Sequence, residues 1–203
     1  MHNETKIQLS PFEMDLLNNS EWILTKNVIV KKAQYLLERV QQNIFDYTKE
    51  HADVLPNEVI NVFPKISKGE NYNGLPWLML DYPRYFDKEN IFAIRTMFWW
   101  GHFFSTTLHL SGYYKDQYDD AIVSAYNELC DKNFFTCIHD EQWHHHFEEE
   151  NYKAVKKFTQ LEFAEQIRNR TFIKLAIPLA FSEWDHAVRL LSENFVRIIK
   201  WMI

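Results

Sequence analysis

The sequence predicts a single α+β domain over residues 1–203, in which N-terminal, middle and C-terminal helices cover a small antiparallel sheet. All four glycines lie within residues 69–112, although average usage of roughly 7% would give about fourteen along the chain. The same window holds the densest aromatic run, residues 97–104. Outside the window, apolar residues recur at three- and four-residue steps, as on a helix face. The sheet is expected at about residues 76–111, plus 134–138.

Two helices are predicted before the sheet. Ser10-Pro-Phe-Glu13 combines an N-cap serine, a proline at the first helical position and a glutamate that completes a capping box. This first helix is expected to end near residues 18–19. A longer helix is expected over about residues 28–51, because apolar residues between positions 33 and 47 recur at helical spacing.

The middle of the chain predicts strands rather than one long helix, because its β-branched and aromatic content is high. The predicted strands are residues 76–84, 92–100 and 104–111. Gly101-His102 suits a two-residue hairpin turn, which is favoured over a bulge in one long strand. With that turn, residues whose numbers sum to 203 oppose each other, so that Ile94 faces His109.

Helices are predicted again after the sheet. One is expected over about residues 115–132. Thr159-Gln-Leu-Glu162 forms a second capping box, which starts a helix that continues to about Asn169. Ser182-Glu-Trp-Asp185 is expected to cap the final helix, which ends near Lys200.

Composition and charge argue against several classes of function. The net charge is −6 with the histidines neutral, whereas nucleic-acid binding needs a basic patch. No stretch reaches the ~18 uninterrupted apolar residues of a membrane-spanning helix, and the first residues lack the apolar core of a secretory signal. Two cysteines do not make a disulfide framework. A soluble cytoplasmic protein without a nucleic-acid or membrane partner is therefore expected.

Polar and aromatic residues of the sheet segment predict a small-molecule pocket. The candidate ligand-binding residues are Trp77, Asp81, Arg84, Arg95, His102 and His109. The guanidinium groups of Arg84 and Arg95 suit a carboxylate or phosphate, and aromatic side chains line small-molecule pockets. The first hypothesis is therefore binding of a small anionic ligand. The alternative is that Arg95 pairs with Asp81 and that His109 is a satisfied core histidine.

The segment 139–150 carries a second hypothesis, because it is rich in histidine and acidic residues. Imidazole and carboxylate groups are the ligands of zinc and non-haem iron. A metal-binding protein or metal-dependent enzyme would use His139, Glu141, His144 and His146. The alternative is a solvated surface on which His144, His145 and His146 each pair with the glutamate four residues on. No metal, cofactor or catalytic residue is assigned.

A third hypothesis is a docking module. Aromatic residues make 16% of the chain, and an exposed aromatic surface binds a partner or a second copy of the same protein. The C-terminal Trp201-Met-Ile is a candidate part of that surface. A homodimer is the simplest assembly that this hypothesis predicts.

Overall fold

The computed structural model describes residues 7–202. Contacts group the chain into two units, one up to Tyr35 and one from Leu36 onward. The second unit combines helices with a seven-stranded antiparallel sheet, so the predicted α+β class is confirmed. A single domain over residues 1–203 stays a prediction.

The helices and strands follow each other in an order that places most strands in the middle of the chain. The α-helices are α1 (Pro11–Asn18), α2 (Ser20–Glu50), α3 (Asn57–Ile60), α4 (Tyr113–Ser124), α5 (Tyr126–Asp131), α6 (Gln160–Arg168) and α7 (Ala187–Trp201). The strands are β1 (Lys65–Tyr72), β2 (Leu75–Phe86), β3 (Ile91–Trp99), β4 (Phe103–Ser111), β5 (Phe135–Cys137), β6 (Tyr152–Ala154) and β7 (Phe172–Leu179). The strand order in the sheet is β1-β2-β3-β4-β7-β5-β6.

Capping boxes start α1 and α6, as predicted. Ser10 Oγ accepts a hydrogen bond from Glu13 N at 3.3 Å, and the Glu13 carboxylate accepts one from Ser10 N at 2.7 Å. Thr159 and Glu162 make the same pair of bonds, at 3.3 and 2.7 Å. The start predicted for the final helix is wrong, because the proposed cap lies in a 3₁₀ turn and α7 begins only at Ala187.

Two other helix predictions have wrong bounds. Helix α2 begins at Ser20, well before the predicted start, because Asn19 Oδ1 accepts a hydrogen bond from Trp22 N at 3.2 Å and so satisfies one of the free N–H groups there. The helix predicted over residues 115–132 is divided into α4 and α5, which meet at Ala125.

The hairpin between β3 and β4 has a three-residue loop, so the predicted two-residue turn is wrong. Its middle residue, Gly101, has a φ of 76°, in the left-handed region that glycine adopts readily. Opposing residue numbers consequently sum to 202, and Arg95 opposes Thr107. A shift of one residue in the strand register changes which side chains of β3 lie on the same face of the sheet as a given side chain of β4. Arg95 therefore shares a face with His109, which the predicted register paired with Ile94.

The sheet is larger than predicted, since β1, β6 and β7 lie outside the predicted ranges. The edge strand β1 has a polar sequence, KISKGENY, which is typical of edges that are protected against further pairing. Gly69 of β1 lets the Trp77 indole cross the strand closely, because a Cβ at this position would lie 2.5 Å from Trp77 Nε1.

The two faces of the sheet are covered differently. On one face the C-terminal half of α2, together with α4 and α7, packs against the strands, and Phe45 lies 5.7 Å from Tyr82 between ring centres. Trp201 is buried at the end of α7 with 7% of its surface exposed, so it does not belong to an exposed docking surface. The other face lies under residues 138–151, which connect β5 to β6 and which we call the covering loop.

Candidate functional site

The register of four strands collects charged residues on the face beneath the covering loop. Asp81 of β2 opposes Arg95 of β3. Two residues before Arg95 on β3, Ala93 lies between Arg84 of β2 and His109 of β4. His109 in turn opposes Lys174 of β7. Opposing residues point to the same side of a sheet. We call the set Asp81, Arg84, Arg95, His109 and Lys174 the polar face.

A β-bulge in β2 brings Arg84 onto the polar face. Between Asp81 and Arg84, β2 advances three residues while β3 advances two. Without the extra residue, the side chain of Arg84 would point to the helix-covered face. The Nε atom of Arg84 is buried and has no hydrogen-bond partner.

The Arg95 guanidinium is held from several sides. Its Nε donates to Asp81 Oδ1 at 2.7 Å, and the two side chains are only 12% and 11% exposed. The central guanidinium carbon lies 5.8 Å from the centre of the Phe86 ring and 5.7 Å from that of Trp143. A further nitrogen, Nη1, is buried without a partner. The ion pair with Asp81 is therefore present, yet one donor of Arg95 stays open.

His109 is fully buried, and its surroundings keep it neutral. Its Nε2 lies 2.9 Å from Oε1 of Gln142, so this nitrogen carries the proton and donates it. Burial, assisted by the charge of Lys174, lowers the pKa of His109 to about 3. The remaining ring nitrogen, Nδ1, is buried and has no partner. The polar face thus contains an open acceptor as well as open donors.

Lys174 is a buried cation without a carboxylate partner among the described residues. It is 1% exposed, its Nζ donates to the backbone oxygen of His144, and it lies 5.3 Å from the centre of the Tyr152 ring. Burial lowers the pKa of Lys174 to about 8, so the amine is still mainly charged at neutral pH. With Arg84 and Arg95, the polar face carries three cationic side chains and one carboxylate.

The thiol and phenol that border Lys174 stay protonated. Cys137 and Tyr152 oppose each other on β5 and β6, and burial raises the pKa of both groups. The Cys137 thiol also donates to Asn151 Oδ1 at 3.5 Å. A nucleophilic cysteine needs a stabilised thiolate, so this arrangement favours binding over covalent catalysis.

The covering loop is fixed by side chains from outside it. The Tyr72 hydroxyl accepts hydrogen bonds from the backbone N–H groups of His145 and His146 at 2.6 and 3.3 Å. Arg170 donates to backbone oxygens at the start of the loop. Together with the bonds from His109 and Lys174, these contacts attach the loop along its length.

Three histidines of the covering loop lie close together. The ring centres of His139 and His144 are 4.6 Å apart, and those of His144 and His146 are 5.4 Å apart. The Nδ1 atom of His139 accepts a hydrogen bond from Glu141 N at 2.9 Å. Within residues 7–202, however, no group of three or more His, Cys, Asp or Glu side chains is arranged to hold a metal ion. The geometry gives the metal hypothesis no support.

Two of the six predicted ligand residues lie apart from the polar face. Trp77 opposes Trp99, and the His102 ring stacks on Trp99 with a centre distance of 3.6 Å. Trp99 is four positions from Arg95 on β3, a separation of about 13 Å along a strand. Trp77 and His102 therefore belong to an aromatic group at the far end of the sheet, and the other four predicted residues come together.

Three important residues of this region are not predicted from the sequence. Lys174 is the single charged residue of the otherwise apolar strand β7, FIKLAIPL. A lone charge in an apolar strand indicates a special role for that residue, because burying an unpaired charge is costly. Gln142 and Trp143 give no comparable signal, since only tertiary contact places them against His109.

One edge of the polar face is open to solvent. Phe86 and Trp143 are 37% and 44% exposed, and their ring centres are 6.5 Å apart. Arg84 is partly exposed on the same side. A molecule that approaches from this edge meets two aromatic rings and the Arg95 guanidinium that both rings contact.

Comparison with known proteins does not identify a relative. No protein-family model, curated protein or solved structure matches the chain. Among residues 7–202, no helix combines the length and the apolar character that crossing a membrane requires. A function therefore has to be argued from the residues of the chain themselves.

Proposed function

We propose that the protein binds a small anionic ligand at the open edge of the polar face, anchored by Arg84 and Arg95. The observation that carries the proposal is the pair of buried N–H groups, Arg84 Nε and Arg95 Nη1, that have no acceptor. Buried donors are nearly always satisfied, and an unsatisfied one costs about 1–3 kcal/mol. A carboxylate or phosphate oxygen supplies the missing acceptor.

Charge and shape support the same class of ligand. The polar face has three cationic side chains and one carboxylate, although the whole chain has a net charge of −6. A local positive excess attracts anions. The rings of Phe86 and Trp143 favour a flat organic group beside the charge. The ligand class is therefore a small carboxylate or phosphate that carries a flat group.

The test is a thermal-shift titration with benzoate and with inorganic phosphate at constant ionic strength. The wild type is compared with Arg84→Ala and with Arg189→Ala, a control that removes an exposed arginine paired with Glu193 on α7. Benzoate is expected to raise the melting temperature of the wild type and of the control, and to have a smaller effect on Arg84→Ala. Equal shifts in all three proteins, or no shift beyond that of sodium chloride, would overturn the proposal.

The stability of the unliganded variants separates an anchor from a structural ion pair. Arg84→Ala removes a donor that has no acceptor, so the variant is expected to be at least as stable as the wild type. Arg95→Ala leaves the nearly buried Asp81 carboxylate unpaired, which costs about 3–5 kcal/mol. Urea unfolding measures both changes. A large loss of stability in Arg84→Ala would assign that arginine a structural role instead.

A further inference from the structure

The N-terminal unit exposes most of the large apolar side chains on the surface. Of the fifteen such residues that are exposed in the described part of the chain, ten lie between Ile7 and Tyr35 and five lie after it. Helix α1 has no buried residue. Phe12, Leu17 and Trp22 are 70%, 71% and 52% exposed. Exposed apolar patches of this density mark interaction sites.

These side chains surround a groove rather than a flat surface. The groove lies between α1 and the start of α2, has a volume of about 510 Å³, and is lined mainly by apolar residues. Leu9, Leu16, Leu17, Trp22 and Ile23 belong to its lining. A stable interface buries roughly 800 Å² per partner, which corresponds to roughly 80 Å² from each of the ten exposed apolar residues.

The sequence of α2 is patterned for packing along its whole length. Ile23, Val30, Leu37 and Ile44 recur every seven residues, a repeat that is typical of helices packed side by side. Leu37 and Ile44 are 0% and 1% exposed, whereas Ile23 is 42% exposed. The N-terminal part of the same stripe is therefore exposed although it has the sequence of a packed helix face.

The distribution of charge favours a second copy of the chain as the partner that fills the groove. Within residues 7–35, the three acidic residues all precede the three basic ones. The acidic set is Glu13, Asp15 and Glu21, and the basic set is Lys26, Lys31 and Lys32. Two such segments that lie antiparallel place the acidic end of each against the basic end of the other, an arrangement that is self-complementary. The three acidic and three basic charges of this segment cancel, and the whole chain has a net charge of −6, so electrostatics do not attract the segment to anionic lipid.

We propose that residues 7–35 form the interface of an antiparallel homodimer, in which the apolar groove of each copy receives the helices of the other. Two copies then bring four helices together, with the exposed apolar side chains inside. This inference is independent of the ligand proposal, because no residue of the polar face takes part.

The oligomeric state is measured by light scattering after size-exclusion chromatography and by sedimentation velocity over a range of concentrations. The wild type is expected to have twice the chain mass. Leu17→Glu places a charge in the groove and is expected to give a monomer with an unchanged far-UV circular dichroism spectrum. Leu161→Glu is the matched control, since Leu161 is 72% exposed on α6, and it is expected to stay dimeric.

Charge reversal tests the antiparallel arrangement separately. Lys31→Glu with Lys32→Glu is expected to weaken the dimer, and adding Asp15→Lys with Glu21→Lys is expected to restore it. A wild type that is monomeric at every soluble concentration would overturn the proposal. So would equal dissociation by Leu17→Glu and Leu161→Glu. Flotation of a monomeric wild type with anionic vesicles would assign the surface to lipid instead.

Discussion

Acidification is expected to destabilise the protein through His109. The pKa of this histidine is lowered to about 3 in the folded state, against an ordinary value of 6.5. The unfolded state therefore takes up a proton first as the pH falls below about 6.5, and the free energy of unfolding decreases from there down to about pH 3. One proton changes this free energy by about 1.4 kcal/mol per pH unit, which gives a loss of about 2 kcal/mol at pH 5.

The measurement compares urea unfolding of the wild type and His109→Phe at about pH 7, 6 and 5. The variant loses the bond to Gln142 at every pH, so only the difference in pH dependence reports the titration of His109. Lys174, Arg95 and His145 raise the cost of a charge at His109, and all three stay in the variant. His186→Phe, at an exposed position, serves as the control and is expected to follow the wild type.

The wild type is expected to lose about 2 kcal/mol more than His109→Phe between pH 7 and pH 5. Parallel pH profiles for the two proteins would refute the reasoning, because they would mean that His109 binds its proton equally well in the folded and unfolded states. A greater loss in the wild type and in His186→Phe than in His109→Phe would support it.

Three further predictions use unfolding measurements. Gly69→Ala is expected to cost about 1–3 kcal/mol, because the new Cβ would lie 2.5 Å from Trp77 Nε1; unchanged stability and indole fluorescence would contradict this. Lys174→Met removes an amine whose pKa is about 8 in the folded protein, against an ordinary value of 10.5. As the pH rises from 8 to 10.5, the free energy of unfolding of the wild type should therefore increase by up to about 3 kcal/mol relative to that of the variant. A difference that stays constant over this pH range would argue against a lowered pKa. Thr159→Ala removes the N-cap of α6 and should lower the free energy of unfolding by about 1 kcal/mol. Glu162→Ala removes the reciprocal hydrogen bond and should also lower it. If neither variant changed the stability, the capping box would contribute nothing to it.

Local signals in the sequence predicted the parts of the fold that depend on neighbouring residues. The capping boxes at Ser10 and Thr159 are complete within four residues, so both helix starts could be predicted. Alternating and apolar runs likewise predicted strands close to β2, β3 and β4. The polar edge strand β1 was not predictable in this way, because its pairing with β2 is decided by backbone bonds and by the fit of Gly69 against Trp77.

The candidate site depended on details that local patterns do not contain. A third residue in the loop around Gly101 changes the register by one and joins Arg95 with His109. The bulge before Arg84 has a similar effect on β2. Both features could be placed only with the partner strand known. Lys174 was detectable in principle, as a lone charge in an apolar run, whereas its contact with the covering loop depends on a connection between other strands.

The connection between β5 and β6 is far longer than the pairing of these strands requires. Cys137 and Tyr152 are direct neighbours across the ladder, so a tight two-residue turn could join them. The chain instead inserts residues 138–151 there, and the remaining strands keep their own partners without it. We therefore expect that exchanging residues 138–151 would change which molecules can reach Lys174 and His109, while the backbone hydrogen bonds between the strands stay in place.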